Sequence, residues 1–296
     1  MCNKIFTGSA VAIVTPMNDD GSVNYKSYEN LLEFQISSGT DAIVVCGTTG
    51  ESATLSDQEK HDLVKFTVDI VDGRVPVIAG TGSNDTKHAV ELSIDAQTLN
   101  VDGLLIVSPY YNKTSQRGIV EHYTAIADSV SVPIIMYNVP SRTGCDIKPE
   151  TCLHLSKHEN IVAIKEASGN ISAVSKIRAL CGDHLDVYSG NDDQVIPMLA
   201  LGALGVISVY ANICPRKSHD IVWNFMNGHP EISRQLFFEN LSVIESLFCD
   251  VNPIPVKTAL NFMGFNCGQC RLPLTSLSEE NSGEILRLLR QSGENV

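Results

Sequence analysis

With 296 residues, 43% of them hydrophobic and 19% charged, the chain has the profile of a folded globular protein and not of a disordered one. Its formal net charge is -13 and its basic residues form no run, a field that repels phosphate backbones and anionic lipid, so nucleic acid and membrane surfaces are poor partners. No stretch approaches the roughly 18 consecutive apolar residues that a membrane-spanning helix needs.

The start, MCNKIFTGSAVAIVTP, holds a short apolar stretch that ends at Thr15-Pro16 without a small-residue cleavage pattern, and it reads as a first strand. Nine cysteines are scattered at 2, 46, 145, 152, 181, 214, 249, 267 and 270; an odd number with no export signal points to reduced thiols in a cytoplasm. Short β-branched apolar runs then recur along the chain: Ser9 to Pro16, Ala42 to Gly47, Pro76 to Gly82, Gly103 to Pro109, Pro133 to Val139, Ile161 to Ser168, Leu185 to Gly190 and Gly205 to Val209. Amphipathic stretches separate them, including Asn24 to Ser38, Ser56 to Val71, Asn84 to Leu99 and Ser115 to Val130. Ser56 and Glu59 fit a capping box, in which hydroxyl and carboxylate satisfy free N–H groups at a helix start. This alternation predicts parallel strands covered by helices, and eight such units match a closed (β/α)8 TIM barrel.

Past Val209 the pattern changes. Ile221 to Asn227, Pro230 to Phe248, Val256 to Met263 and Ser278 to Ser292 read as helices with no strand between them. The expected organisation is a barrel over 1–225 that carries the active site, followed by a small all-helical C-terminal domain over 226–296.

Barrel enzymes place their chemistry at the C-terminal ends of the strands. There the chain sets Gly47-Thr48-Thr49-Gly50-Glu51 after the second run, Pro109-Tyr110-Tyr111-Asn112 after the fourth and Tyr137-Asn138-Val139-Pro140-Ser141-Arg142 at the fifth. Lys165-Glu166 lies in the sixth and Ser189-Gly190-Asn191-Asp192-Asp193 ends the seventh. Lys165 follows four apolar residues, where burial disfavours the ammonium and yields a carbonyl nucleophile. Taken alone, a lysine snorkelling to solvent or paired with Glu166 is the commoner outcome. The two threonines between glycines offer hydroxyls and N–H groups to a small carboxylate, although turns of this composition are common. Tyr137 and Tyr111 have phenols able to pass protons, but a packed aromatic is the usual finding; Arg142 has the fork that clamps a carboxylate, but most loop arginines are solvated.

Other groups carry less. His154 and His158 are four apart, yet no glutamate sits beside the first, so a zinc site is not expected there; Cys267-Gly-Gln-Cys270 is a lone pair; Asp192-Asp193 reads as a solvated loop or a helix start. No dinucleotide fingerprint or phosphate loop is present.

Assembled, these residues closely resemble the dihydrodipicolinate synthase family, within the N-acetylneuraminate lyase superfamily of class I aldolases. The similarity runs from Phe6-Thr-Gly-Ser through Gly47-Thr-Thr-Gly-Glu-Ser, Pro109-Tyr-Tyr-Asn, Tyr137-Asn-Val-Pro-Ser-Arg-Thr-Gly and Ile164-Lys-Glu-Ala-Ser-Gly-Asn to Asn252-Pro-Ile-Pro-Val-Lys. Other superfamily members mostly differ at the second threonine and at the Ser-Arg after Asn-Val-Pro, and here Thr49, Ser141 and Arg142 follow the synthase pattern. The resemblance implies condensation of pyruvate with L-aspartate 4-semialdehyde to 4-hydroxy-tetrahydrodipicolinate, a step of lysine and diaminopimelate biosynthesis. Lys165 would form the imine. Tyr137 would relay protons with Thr48 and with Tyr111 contributed across a subunit interface. Thr49, Gly190 and the backbone at Ile207 would bind substrate, with Arg142 on the semialdehyde carboxylate. No metal or organic cofactor is expected, and the family assembly is a homotetramer, a dimer of tight dimers. Another pyruvate-dependent aldolase, or a binding barrel without turnover, are the rival readings.

In lysine-sensitive relatives an effector site matches Ser52, Ala53, Asp57, Lys60, Asn84, His88 and Tyr110. Ser52, Ala53, Asn84 and Tyr110 agree with it. Asp57 and Lys60 stand where the sensitive pattern has histidines, and His88 stands where it has a glutamate, so a degenerate site is expected.

Overall fold

The computed structural model describes residues 4–294 and 296. All eight apolar runs form strands: β1 (Gly8–Ala12), β2 (Ala42–Val45), β3 (Val77–Gly80), β4 (Gly103–Val107), β5 (Ile134–Asn138), β6 (Ile161–Glu166), β7 (Asp186–Ser189) and β8 (Gly205–Ser208). Each pairs in parallel with the next, and β8 returns to β1 with Ala10 opposite Ile207, closing the barrel. Every strand ends before its apolar run does, and the residues that follow stay mostly buried at the mouth.

Side chains of a strand alternate between two faces. The inner row is Ala10, Ala12, Ala42, Val44, Ile78, Leu105, Ile135, Ala163, Tyr188 and Ile207, all buried inside the barrel. The outer row, including Val11, Ile43, Ile106, Met136, Ile164 and Val187, packs against the surrounding helices. Phe6 plugs the N-terminal end, its ring stacked on Tyr188 at 4.2 Å while the Tyr188 hydroxyl donates to its carbonyl at 2.7 Å. Closure is tight at β1 and β8: a Cβ on Gly205 would lie 1.8 Å from the Gly8 carbonyl oxygen, so only glycine fits there.

Between strands lie the helices Tyr25–Ser37, Asp57–Val71, Thr86–Thr98, Gln116–Ala127, Pro149–Leu155, Ile171–Cys181 and Val195–Ala200. The capping box is formed, with Ser56 Oγ accepting from Glu59 N at 3.2 Å and Glu59 Oε2 accepting from Ser56 N at 2.8 Å. The helix expected from Ile221 begins instead at Pro215 and runs Pro215–Met226. Its start, Pro-Arg-Lys-Ser-His-Asp, is polar, which hid it from a search for apolar periodicity, although Ser218 and His219 turn inward to Ser9 Oγ at 2.7 Å and Asp41 Oδ2 at 2.8 Å; proline is at home at a first helical position. Helices Pro230–Ser246, Ile254–Phe262 and Glu279–Gln291 complete the chain, and no described helix is long and apolar enough to cross a membrane. The eight cysteines among the described residues are free, and Cys2 lies outside those residues.

Candidate active site

The inner rows of β5 and β6 end at the mouth in Tyr137 and Lys165, which are opposite each other in the strand register. Lys165 is only 5% exposed, with Nζ 4.4 Å from the centroid of the Tyr137 ring. Burial, opposed by the Asp192 carboxylate and reinforced by the Arg142 guanidinium, brings its pKa down to about 8. Neither commoner outcome for a strand-end lysine holds. Glu166, the expected alternative partner, points to the outer face, where Asn138 Nδ2 donates to it at 2.9 Å and Ser168 N at 2.6 Å. Burial alone pushes the Tyr137 phenol above its ordinary range, against Arg142 and a hydrogen bond with Thr48.

Space for the lysine comes from Gly190, the residue that follows β7. A Cβ on Gly190 would meet Lys165 Cε at 3.0 Å and Ala167 Cβ at 2.7 Å, so a side chain there would push into the reacting amine. Ile207, on β8, is fully buried in the inner row. Thr49 is buried on the turn after β2, and its hydroxyl accepts from Asn252 Nδ2 at 3.0 Å. Arg142 is exposed on the short helix Pro140–Thr143 that follows β5.

A cavity of about 540 Å³ opens at the mouth, lined in part by Thr48, Val139, Arg142 and Asn252. Lys165 and Tyr137 do not line it; Thr48, bonded to Tyr137, connects it to them. The same cavity continues to Ser52, Ala53, Asp57, Lys60, His88 and Tyr110. Asn84 is not among its lining residues, and its carbonyl accepts from Asn112 Nδ2 at 3.0 Å. Tyr111 is 90% exposed on the loop after β4 with a positive φ of 71°, a conformation that a bulky residue rarely adopts.

Three features were misjudged or missed in the sequence. Asp192 is not solvated: it is buried, accepting from Ser208 Oγ at 2.5 Å and from the backbone N–H groups of Val209 and Tyr210 at 2.9 and 3.1 Å. An acidic doublet looks solvated because its buried donors lie on the next strand, out of sight in the sequence. Asn252 on Thr49, and Glu51 paired with Lys257 at 2.8 Å, link residues about 200 positions apart; the only signal was that each falls in a motif quoted above. His158 bonds Asp128 at 3.1 Å, and among the described residues no three His, Cys, Asp or Glu side chains form a metal-holding group.

A closed (β/α)8 barrel with a desolvated lysine at its C-terminal mouth, beside a tyrosine hydrogen-bonded to a threonine, defines the class of Schiff-base aldolase barrels. Within that class the chain belongs to the dihydrodipicolinate synthetase family, whose model matches residues 5–292. It is 55% identical over 292 residues to the 4-hydroxy-tetrahydrodipicolinate synthase of Caldicellulosiruptor saccharolyticus, covering 99% of each chain. It superposes with a TM-score of 0.96 on the chloride-inhibited dihydrodipicolinate synthase of Acinetobacter baumannii complexed with pyruvate, at 41% identity over 99% of this chain and 100% of that one. The dihydrodipicolinate synthase of Cyanidioschyzon merolae with lysine bound gives a TM-score of 0.96 at 37% identity, over 99% of this chain and 100% of that one.

The depressed pKa of Lys165 has a direct readout. Below about pH 8 its neutral fraction falls about tenfold per unit, so labelling of Lys165 by a small amine-directed acylating reagent rises with pH up to about 8 and then levels. Surface lysines continue to gain reactivity toward pH 10, near the ordinary lysine range. Peptide mass spectrometry across a pH series separates the two, and a Lys165 profile that keeps rising to pH 10 contradicts the desolvated amine.

Proposed function

We propose that Lys165 and the groups around it carry out the condensation of pyruvate with L-aspartate 4-semialdehyde to 4-hydroxy-tetrahydrodipicolinate, in lysine and diaminopimelate biosynthesis. The observation that carries this reading is Lys165 itself, buried and with its pKa brought down from the ordinary lysine range to about 8, against a tyrosine bonded to Thr48. Relatives of the same activity that match across the whole chain support it, as does the structural relative complexed with pyruvate.

The neutral amine of Lys165 adds to the pyruvate carbonyl, and loss of water leaves the imine. Tyr137, its phenol held protonated by burial, supplies and receives protons in these steps, with Thr48 as the next member of the relay. Loss of a methyl proton gives the enamine, whose carbon attacks the aldehyde. The amine of the semialdehyde then displaces Lys165 and closes the ring. Thr49, Gly190 and the backbone at Ile207 hold pyruvate; Arg142, on the cavity wall, takes the semialdehyde carboxylate in its fork.

The ring of Tyr111 stands in solvent, where a second copy of the chain is able to bury it, and this supports assembly as a homotetramer built from tight dimers with Tyr111 completing the relay across the interface. Free thiols, six of them buried among the described residues, suit a reducing cytoplasm.

Reduction by borohydride in the presence of pyruvate should leave a 1-carboxyethyl group on Lys165, because hydride addition to the imine gives a stable secondary amine. Intact-mass and peptide analysis reads this, and modification of a different lysine refutes the assignment. Lys165→Ala should stay folded and lose nearly all activity.

Arg142→Ala should lower use of the semialdehyde roughly 10- to 150-fold, the equivalent of about 1.5–3 kcal/mol for a hydrogen bond to a charged group, with imine formation from pyruvate far less affected. Equal losses in the trapping and condensation assays sink this role.

L-Lysine should inhibit weakly or not at all. Asp57, the acidic group in the degenerate site, already accepts from His88 Nε2 at 3.0 Å and pairs with Lys60 at 3.4 Å, so both its oxygens are engaged and the Lys60 ammonium already stands in the site. Initial rates against added L-lysine at subsaturating pyruvate test this, and marked inhibition at sub-millimolar lysine contradicts it.

A further inference from the structure

The turn that presents Thr48 and Thr49 is not held by the barrel alone. Glu51, at its end, adopts a left-handed φ of 58°, which a non-glycine residue keeps only where its surroundings fix it. The barrel supplies one tie, from Thr15 Oγ1 to the Gly50 carbonyl at 2.7 Å. The Glu51 carboxylate is anchored elsewhere. Its Oε1 accepts from Lys257 Nζ and its Oε2 from the backbone N–H of Arg271, each at 2.8 Å. Lys257 also donates to the Gln269 carbonyl at 2.8 Å. Carboxylate, ammonium, carbonyl and amide thus join the turn to the C-terminal segment, at a place where the side chains of Glu51 and Lys257 are only 1% and 2% exposed.

A second tie reaches the neighbouring residue. Asn252 Nδ2 donates to Thr49 Oγ1 at 3.0 Å, so the threonine oxygen is occupied as an acceptor and its O–H remains free to donate. A hydroxyl set as a donor suits a carboxylate. An acceptor in place of Asn252 Nδ2 would turn that proton away.

We propose that Lys257 and Asn252 are positioning residues for the keto-acid subsite: Lys257 fixes the Thr48-Thr49 turn through Glu51, and Asn252 aims the Thr49 hydroxyl at the pyruvate carboxylate. The inference rests on the reaction proposed above. A buried ion pair by itself is weak evidence of a stabilising role, whereas its place at the end of a substrate-binding turn gives it a specific one. Displacement of a positioned group by about 1 Å is enough to cost on the order of 100-fold in rate.

The test compares wild type with Lys257→Met, Asn252→Ala and Asn252→Asp by steady-state kinetics in both substrates, by pyruvate-dependent borohydride trapping and by circular dichroism. Lys257→Met and Asn252→Ala should raise KM for pyruvate at least about tenfold and slow trapping to match, with KM for the semialdehyde within about twofold of wild type. Asn252→Asp, nearly isosteric, should be worse than the alanine variant for pyruvate, because its carboxylate takes the Thr49 proton and repels the substrate anion. Pyruvate KM values within twofold of wild type, an equal rise for both substrates, or an aspartate variant no worse than alanine overturns the proposal. If Lys257→Met does not fold, the two Asn252 variants decide. Wild type that forms no pyruvate adduct defeats the functional reading itself, a result distinct from adducts that form equally well in all variants.

Discussion

A lysine becomes a nucleophile only when its proton has left, and here the barrel removes the proton by withholding water. Everything around Lys165 serves that end. The inner rows below it carry small residues, Ala10, Ala12, Ala42 and Ala163, so the side chain sits within a closed apolar cylinder and not beside an aqueous channel. Gly190 leaves the volume the four-carbon stem needs. The nearby acid, Asp192, could restore the ammonium if its charge were unopposed, but Ser208 and two backbone N–H groups occupy it. It moderates the shift without cancelling it, and the pKa settles near 8 and not near neutrality.

The same economy of charge governs the mouth. A chain with a net charge of -13 has to admit anionic substrates, yet beyond about 8 Å in physiological salt the overall field is largely screened, so the groups facing the cavity decide. The acids near it are held by partners of their own. Glu166 is bonded by Asn138 and Ser168, Glu51 by Lys257 and Arg271, and Asp57 by His88 and Lys60. Arg142 is left facing the cavity with no ion pair among the described residues, which is the arrangement an incoming carboxylate requires.

The strands were legible because parallel strands buried on both faces need continuous β-branched runs, and nothing else in a globular chain repeats them eight times. Lys165 was legible for the same reason: a charged residue ending such a run must be either exposed or functional. The helices Pro149–Leu155 and Val195–Ala200 are too short to show more than two turns of a pattern, so periodicity says little about them. Of the two readings offered for Asp192-Asp193, the helix start holds, at Asp192–Gln194, while the solvated loop fails for Asp192 because its environment is made by the following strand. Glu51 and Lys257 could not be paired from sequence at all, since 206 residues separate them and neither position carries a periodic signal.

Two buried lysines in one chain show what separates a reactive amine from a structural cation. Both are almost fully enclosed, Lys165 at 5% and Lys257 at 1% exposure, so depth alone does not distinguish them. Hydrogen bonding does. Lys257 Nζ has two acceptors at 2.8 Å, one of them the Glu51 carboxylate, so it is engaged in a buried ion pair. Among the described residues Lys165 Nζ has no hydrogen-bond acceptor; it faces the π surface of Tyr137 and shares its surroundings with the positive Arg142. Placing a carboxylate within hydrogen-bonding reach of Lys165 would reproduce the Lys257 environment and extinguish the nucleophile, even though no atom of the lysine had changed. The chemistry of the barrel therefore depends as much on the acceptors kept away from Lys165 as on the residues brought toward it.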